Sequence, residues 1–223
     1  DYVNAYFWNG TLSSGNWTDA TSWIPHGVPG PGDHVSISHS CTVTLNVAPT
    51  IASLFLEGNL DGTNDMTITC GLTIVNGVLG NTGNTVVGGD LVWEHGTIGS
   101  NNGTASGTVT VNGMVFLTNN NGRNLFKKTL VCNSGVNWLG GRINLGFGST
   151  LRIPSGTTLT ASLNSENIDN SGGDPSTLDL QGNFVRNTGT GVVAITAVSF
   201  NPAGTTTVST GTLRLGNGST FAH

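Results

Sequence analysis

Twelve carboxylates, five histidines and three cysteines are the side chains from which this 223-residue chain could build acid–base, metal or redox chemistry. Glycoside cleavage needs two carboxylates converging across one bond, and the acids here are scattered. The closest groupings are Asp61 with Asp65, Glu94 with His95, and Asp174 with Asp179. The run Asp61-Gly-Thr-Asn-Asp65 offers oxygen ligands to calcium but falls short of the ligand number of a dedicated loop; an ordinary turn accounts for it as well. Glu94 and His95 are neighbours, and on a strand neighbours point to opposite faces. His26, His34 and His39 flank a Pro/Gly stretch without converging. There is no C-x-x-C, no Cys/His zinc spacing, no G-x-S-x-G and no phosphate loop. The expectation is no catalytic residue, no metal and no cofactor.

Other candidates carry two readings each. Six of the fifteen aromatic residues fall in the first 23 positions: Tyr2, Tyr6, Phe7, Trp8, Trp17 and Trp23. Tyr6, Trp8, Trp17 and Trp23 are either a platform for sugar rings or a cap over the open end of a repeat fold. Cys41 and Cys70 could bridge neighbouring turns in an oxidising compartment, or all three thiols, Cys132 included, could lie buried as small apolar groups. Arg123, Lys127 and Lys128 form the one basic cluster, either a solvated loop or a contact for an anionic glycan. Asn9, Asn16, Asn102 and Asn217 head N-x-Ser/Thr sequons, which are glycosylation acceptors only in a eukaryotic secretory pathway.

The elements holding these residues are short strands. Gly, Thr, Asn and Ser make up about half the chain, whereas there are only three Glu and two Lys. Runs such as Val35-Ser-Ile37, Thr42-Val-Thr-Leu45 and Thr108-Val-Thr-Val111 alternate with the period of a strand. Gly and Asn between them suit turns that need positive φ. No window has the apolar period of an amphipathic helix, and residues 162–174 read as a long loop. The net charge of −5, with 9% charged residues, excludes a basic face for nucleic acid. No apolar run is long enough for a membrane span. The chain opens on Asp1 without Met, as a mature secreted product would.

One repeat decides between the all-β folds. Trp93-Glu-His-Gly96-Thr-Ile98 and Trp138-Leu-Gly-Gly141-Arg-Ile143 share a W-x-x-G-x-I pattern, and Phe184 and Phe200 each open a similar aromatic-then-turn segment. Aromatic-then-turn repeats at irregular spacing predict a solenoid with variable turns. The fold expected is an all-β, right-handed, single-stranded parallel β-helix, with an aromatic cap over residues 1–33 and repeats over 34–223. An antiparallel β-sandwich is the alternative, kept open by Asn-Gly pairs at 76–77, 112–113 and 121–122.

Ser14-Gly-Asn-Trp17 to Trp23, followed by Pro29-Gly-Pro-Gly-Asp33-His-Val35-Ser-Ile37, resembles the opening of large secreted bacterial β-helix repeat proteins of adhesin-like type. The same region is similar to the G8 domain, a Gly-rich module found beside parallel β-helices on cell surfaces. Leu91–Ile98, Asn187-Thr-Gly-Thr-Gly and Ser209-Thr-Gly-Thr-Leu-Arg-Leu215 look like repeats of those proteins. The resemblance implies a pectin-lyase-like β-helix outside the cell and no particular ligand. The function expected is a non-catalytic structural or adhesive surface protein whose partners are its own copies, stacked head to tail, or a surface polysaccharide. The alternatives are a carbohydrate-binding β-helix module and a polysaccharide lyase or hydrolase.

Overall fold

The computed structural model describes residues 4–38, 40–100, 106–216 and, as backbone, 220–221. These residues form a parallel β-solenoid whose coils each carry three short strands. On the second face lie Ala5–Trp8, His34–Ile37, Leu91–Trp93, Val115–Leu117, Val136–Trp138, Thr158–Ala161, Asn183–Arg186 and Thr206–Val208. Thr50–Leu56 and Met66–Ile74 each bend from the first face onto the second. Strands such as Thr108–Val111, Thr129–Cys132 and Thr150–Ile153 continue the first face. The third runs from Ser14–Asn16 through Gly96–Gly99, Arg123–Phe126 and Ile143–Gly146 to Thr212–Leu215. On the second face coil length varies from 18 residues, Leu54 to Leu72, to 29, Tyr6 to Val35. No antiparallel sandwich forms, and the three Asn-Gly pairs turn corners between faces.

Most strands hide one side and stack it on the coil before. On the second face Val35, Leu54, Leu72, Leu91, Val115, Val136, Leu159 and Phe184 make one inward ladder. The next ladder is Ile37, Leu56, Ile74, Trp93, Leu117, Trp138, Ala161 and Arg186. Leu117 stands between Trp93 and Trp138, so the 45-residue repeat spans two coils rather than one. Only the tryptophans of that motif correspond. Gly96 pairs with Arg123 and Arg123 with Ile143, so Gly96 is equivalent to Ile143 and not to Gly141, while Ile98 stacks through Leu125 on Leu145. The reason is corner length: two residues separate Trp93 from the third face, and four separate Trp138 from it. Within the longer corner the Gly141 carbonyl accepts the Trp138 indole N–H at 2.7 Å, and the Trp93 N–H has no such acceptor. Phe184 and Phe200 belong to different faces and are not copies of each other.

The asparagines do a different job from the one composition suggests. Among the described residues only one of them, Asn119, has positive φ. Their amide oxygens, with carboxylate oxygens of aspartate, reach along the axis to cap corner N–H groups of a neighbouring coil. Asp65 Oδ1 accepts the Asn84 N–H at 2.7 Å, Asn84 Oδ1 the Thr108 N–H at 3.0 Å, and Asn183 Oδ1 the Thr205 N–H at 3.0 Å. A corner cannot join a sheet ladder, and these side chains satisfy its donors instead.

The aromatic segment is part of the solenoid. Ala5–Trp8 pairs in parallel with His34–Ile37, and Ser14–Asn16 with Thr42–Leu45, so the first coil starts inside residues 1–33. The short strand Trp23–Ile24 then lies antiparallel along the outer edge of Ala5–Trp8, with Trp8 opposite Trp23. That strand covers the backbone edge that a head-to-tail neighbour would need on this face. The expected loop over 162–174 contains a further third-face strand, Glu166–Asn170, that stacks Ile168 on Ile143. No helix of the described residues is long and apolar enough to cross a membrane.

Candidate functional site

The carboxylates stay apart. Asp61 lies on the third-face strand Asn59–Gly62, while Asp65 sits at the following corner with Oδ1 committed to the Asn84 N–H. Among the described residues no three His, Cys, Asp or Glu side chains gather as a metal site would require. Glu94 and His95 occupy the corner after Trp93. Asp179 is held by Arg152 Nε and Gln181 Nε2, both at 2.6 Å, and Asp174 is elsewhere. His34 Nδ1 meets Ser53 Oγ at 2.5 Å on the second face, His26 is exposed, and His39 lies outside the described residues.

Burial redraws the other candidates. Trp8, Trp17 and Trp23 are fully inside, the rings of Trp8 and Trp23 at 4.9 Å and those of Trp17 and Trp23 at 5.1 Å, both edge to face. Such rings offer no face to a sugar, so they form a cap; Tyr6 is half-buried beside them. Cys41 is buried at the entrance to the third face, and Cys70 is exposed between the first and second faces two coils on. Different corners and different coils leave no bridge between them. Cys132 is buried in the first-face ladder, where burial pushes its thiol up out of the reactive range. Asn9 is half-buried, with its own sequon's Thr11 donating to its Oδ1, and Asn16 is exposed. Asn102 and Asn217 lie outside the described residues.

The basic cluster is the largest departure from expectation. Arg123 and Lys128 are completely buried, as is Arg186. Arg123 spends its five N–H donors on six backbone carbonyls: Trp93 and Glu94, Thr118 and Asn119, Gly140 and Gly141. These belong to the same corner in three successive coils. Arg186 does likewise, binding Leu163, Asn164, Gly191 and Thr210 carbonyls at 2.8 to 3.3 Å. Among the described residues no carboxylate lies within ion-pair distance of either, so carbonyl dipoles supply the counter-charge. Desolvation lowers Arg123 to about 10 against a smaller raising effect of Glu166. A guanidinium suits this role because its donors form a rigid planar fork. The sequence signal was thin: a cation among Asn and Gly looks the same whether it points out or in.

Lys128 donates to the Gly83 carbonyl at 2.9 Å and is lowered to about 8, by burial first and against the opposing pull of Asp65. Its folded pKa lies below its ordinary value of 10.5, so between those values the unfolded chain holds more protons and stability rises with pH. We expect Lys128→Met to be at least as stable as the parent at pH 7, and to remove an alkaline gain of at most about 3 kcal/mol. Urea midpoints of both proteins at pH 7.5 and 9.5 check this; parallel shifts in the two would refute it.

One concavity on the second face gathers chemistry. It holds about 390 Å³, with Phe55 on one side, Asp90 and Val92 on the other, and Gly71 and Thr73 between. A smaller one of about 150 Å³ continues it toward the cap, between Phe7 and Phe55, past His34 and Ser53. Outward rows along the axis connect them: Phe7, Ser36, Phe55, Thr73, Val92 and Phe116 in one, His34, Ser53 and Gly71 in the other.

No family model, curated protein or solved structure matches the chain. Its likeness to adhesin-like repeats and to the G8 domain rests on the motifs alone.

Proposed function

We propose that the chain is a non-catalytic structural and adhesive protein of the cell exterior, a stiff rod that carries contact surfaces on its flat faces. The observation that carries this reading is the clamping of successive coils by Arg123 and Arg186, which stiffens the rod along its axis. Side-chain capping between coils acts in the same direction. Dispersed carboxylates support the non-catalytic part, since acid–base work on a glycan needs two of them together.

Two measurements test the reading together. Antibody labelling should mark intact source cells as strongly as permeabilised ones. Incubation with acidic and neutral polysaccharides plus calcium should release no unsaturated or reducing ends. Label confined to permeabilised cells would overturn the location, and turnover would overturn the non-catalytic role.

A further inference from the structure

We infer that the second-face groove beside Gly71 binds a neutral glycan chain lying along the solenoid axis. The starting point is a glycine in mid-strand that borders the groove. The other glycines inside strands meet closer neighbours or have positive φ: a Cβ would fall 3.0 Å from the Trp8 ring at Gly15 and 2.9 Å from the Phe126 ring at Gly146, and Gly62, Gly96 and Gly99 have positive φ. Gly71 is different. Its φ is not positive, and its Cβ would meet a single atom, the Asp90 carbonyl oxygen, at 3.3 Å. A glycine inside a strand weakens it, and it marks a bulge or the close approach of another backbone or a ligand; the open side of Gly71 faces the groove. Here the missing side chain is what opens the groove between Phe55 and Asp90.

A bulge sits at the same place. The register between the strands Thr50–Leu56 and Met66–Ile74 slips between Ile51 and Ser53, where two steps on one strand match three on the other. Bulges re-aim side chains, and this one leads the chain past exposed Cys70 into Gly71.

The lining selects the ligand. Phe55 is 39% exposed and Phe7, in the same row, 53% exposed, so both present ring area to solvent. Pyranose C–H faces stack on such rings, and Asp90, Thr73 and the His34–Ser53 pair supply partners for hydroxyls. Asp90 uses Oδ1 on the Met114 N–H and stays exposed. No Lys or Arg lines either concavity, and the carboxylate would repel a uronate chain. A carboxylate in the wall also suits hydroxyls better than the apolar face of a second copy. Coils advance by about 4.8 Å, similar to the advance of one hexose in an extended β-linked chain, so successive sugars meet successive coils.

This deepens the adhesive reading and rests on it for where the ligand is met. The test is calorimetric titration of the full chain with cellohexaose, laminarihexaose, mannohexaose, xylohexaose and hexagalacturonate. At least one neutral hexamer should bind, hexagalacturonate should not, and Phe55→Ala and Gly71→Val should each weaken binding at least tenfold. Circular dichroism and melting should show both variants folded; Phe55 is at the surface, so its variant carries the test if Gly71→Val fails to fold. Absence of binding by every neutral hexamer, unchanged affinity in Phe55→Ala, or tighter binding of the uronate would overturn the site. So would a dimer in sedimentation that Phe55→Ala dissolves. Cell labelling is a separate readout, so a wrong location and a wrong groove give different failures.

Discussion

Arg123→Met is expected to lower the unfolding free energy by about 4 kcal/mol or more. Methionine fills much of the same volume, so the loss is one of hydrogen bonding. Six corner carbonyls lose a donor, and a buried polar group without its partner costs about 1–3 kcal/mol. Relaxation and the remaining Trp138 N–H on Gly141 offset part of that sum. Against a typical total of about 5–15 kcal/mol, the variant should sit at the edge of folding. Arg123→Lys should recover only a fraction, because an ammonium carries three donors and no planar fork. Denaturant titration of the three proteins checks this. A loss below about 1 kcal/mol in Arg123→Met would mean the corners need no clamp.

Trp23→Ala is the second large expectation, at about 3–5 kcal/mol. Trp23 packs edge-on against both Trp8 and Trp17, and its indole N–H binds the Trp17 carbonyl at 2.9 Å. Removing it opens a cavity between two large rings and loosens the strand Trp23–Ile24 that covers the outer edge of Ala5–Trp8. An uncovered edge pairs with other chains, so the variant should also aggregate on mild heating. Melting followed by light scattering measures both effects. A Trp23→Ala protein that melts with the parent, yet loses glycan affinity, would restore the sugar-platform reading that burial argues against.

The fold was legible where strands alternate with β-branched residues. Val35-Ser-Ile37 and Thr108-Val-Thr-Val111 are strands with the inward side expected from the pattern. On the third face Thr42-Val-Thr-Leu45 reads as a strand, but several of its other strands lack that alternation, for a physical reason. Asn59–Gly62, Gly96–Gly99, Arg123–Phe126 and Glu166–Asn170 centre on one inward Leu or Ile each and turn Asn, Asp, Thr or Gly outward. Their outward side chains carry polar rows and caps, so composition there resembles a turn. The Trp93 and Trp138 pair announced a repeat, but two coils of unequal corner length disguised its unit. Of the candidate groove, Phe55 and Gly71 had no motif to mark them. What singles them out is the register that places them side by side, and register is set by long-range stacking that local pattern does not encode. The buried arginines were illegible for a related reason: their partners are backbone carbonyls, which every residue has.

The two arginines also change what kind of polymer this solenoid is. In a repeat protein whose coils touch only adjacent coils, stability is a sum of single-coil terms and nearest-neighbour terms, and the end frays one coil at a time. Arg123 and Arg186 each contact the coil before and the coil after their own, so one side chain strengthens two successive coil interfaces in each of two consecutive blocks of three. Within each block no coil can leave without breaking bonds to a guanidinium shared by all three. The interfaces inside each triplet are therefore held by more than their ladders, while the seam between triplets, past the coil that carries Gly140 and Gly141, relies on its ladders and the Arg142–Asp169 ion pair.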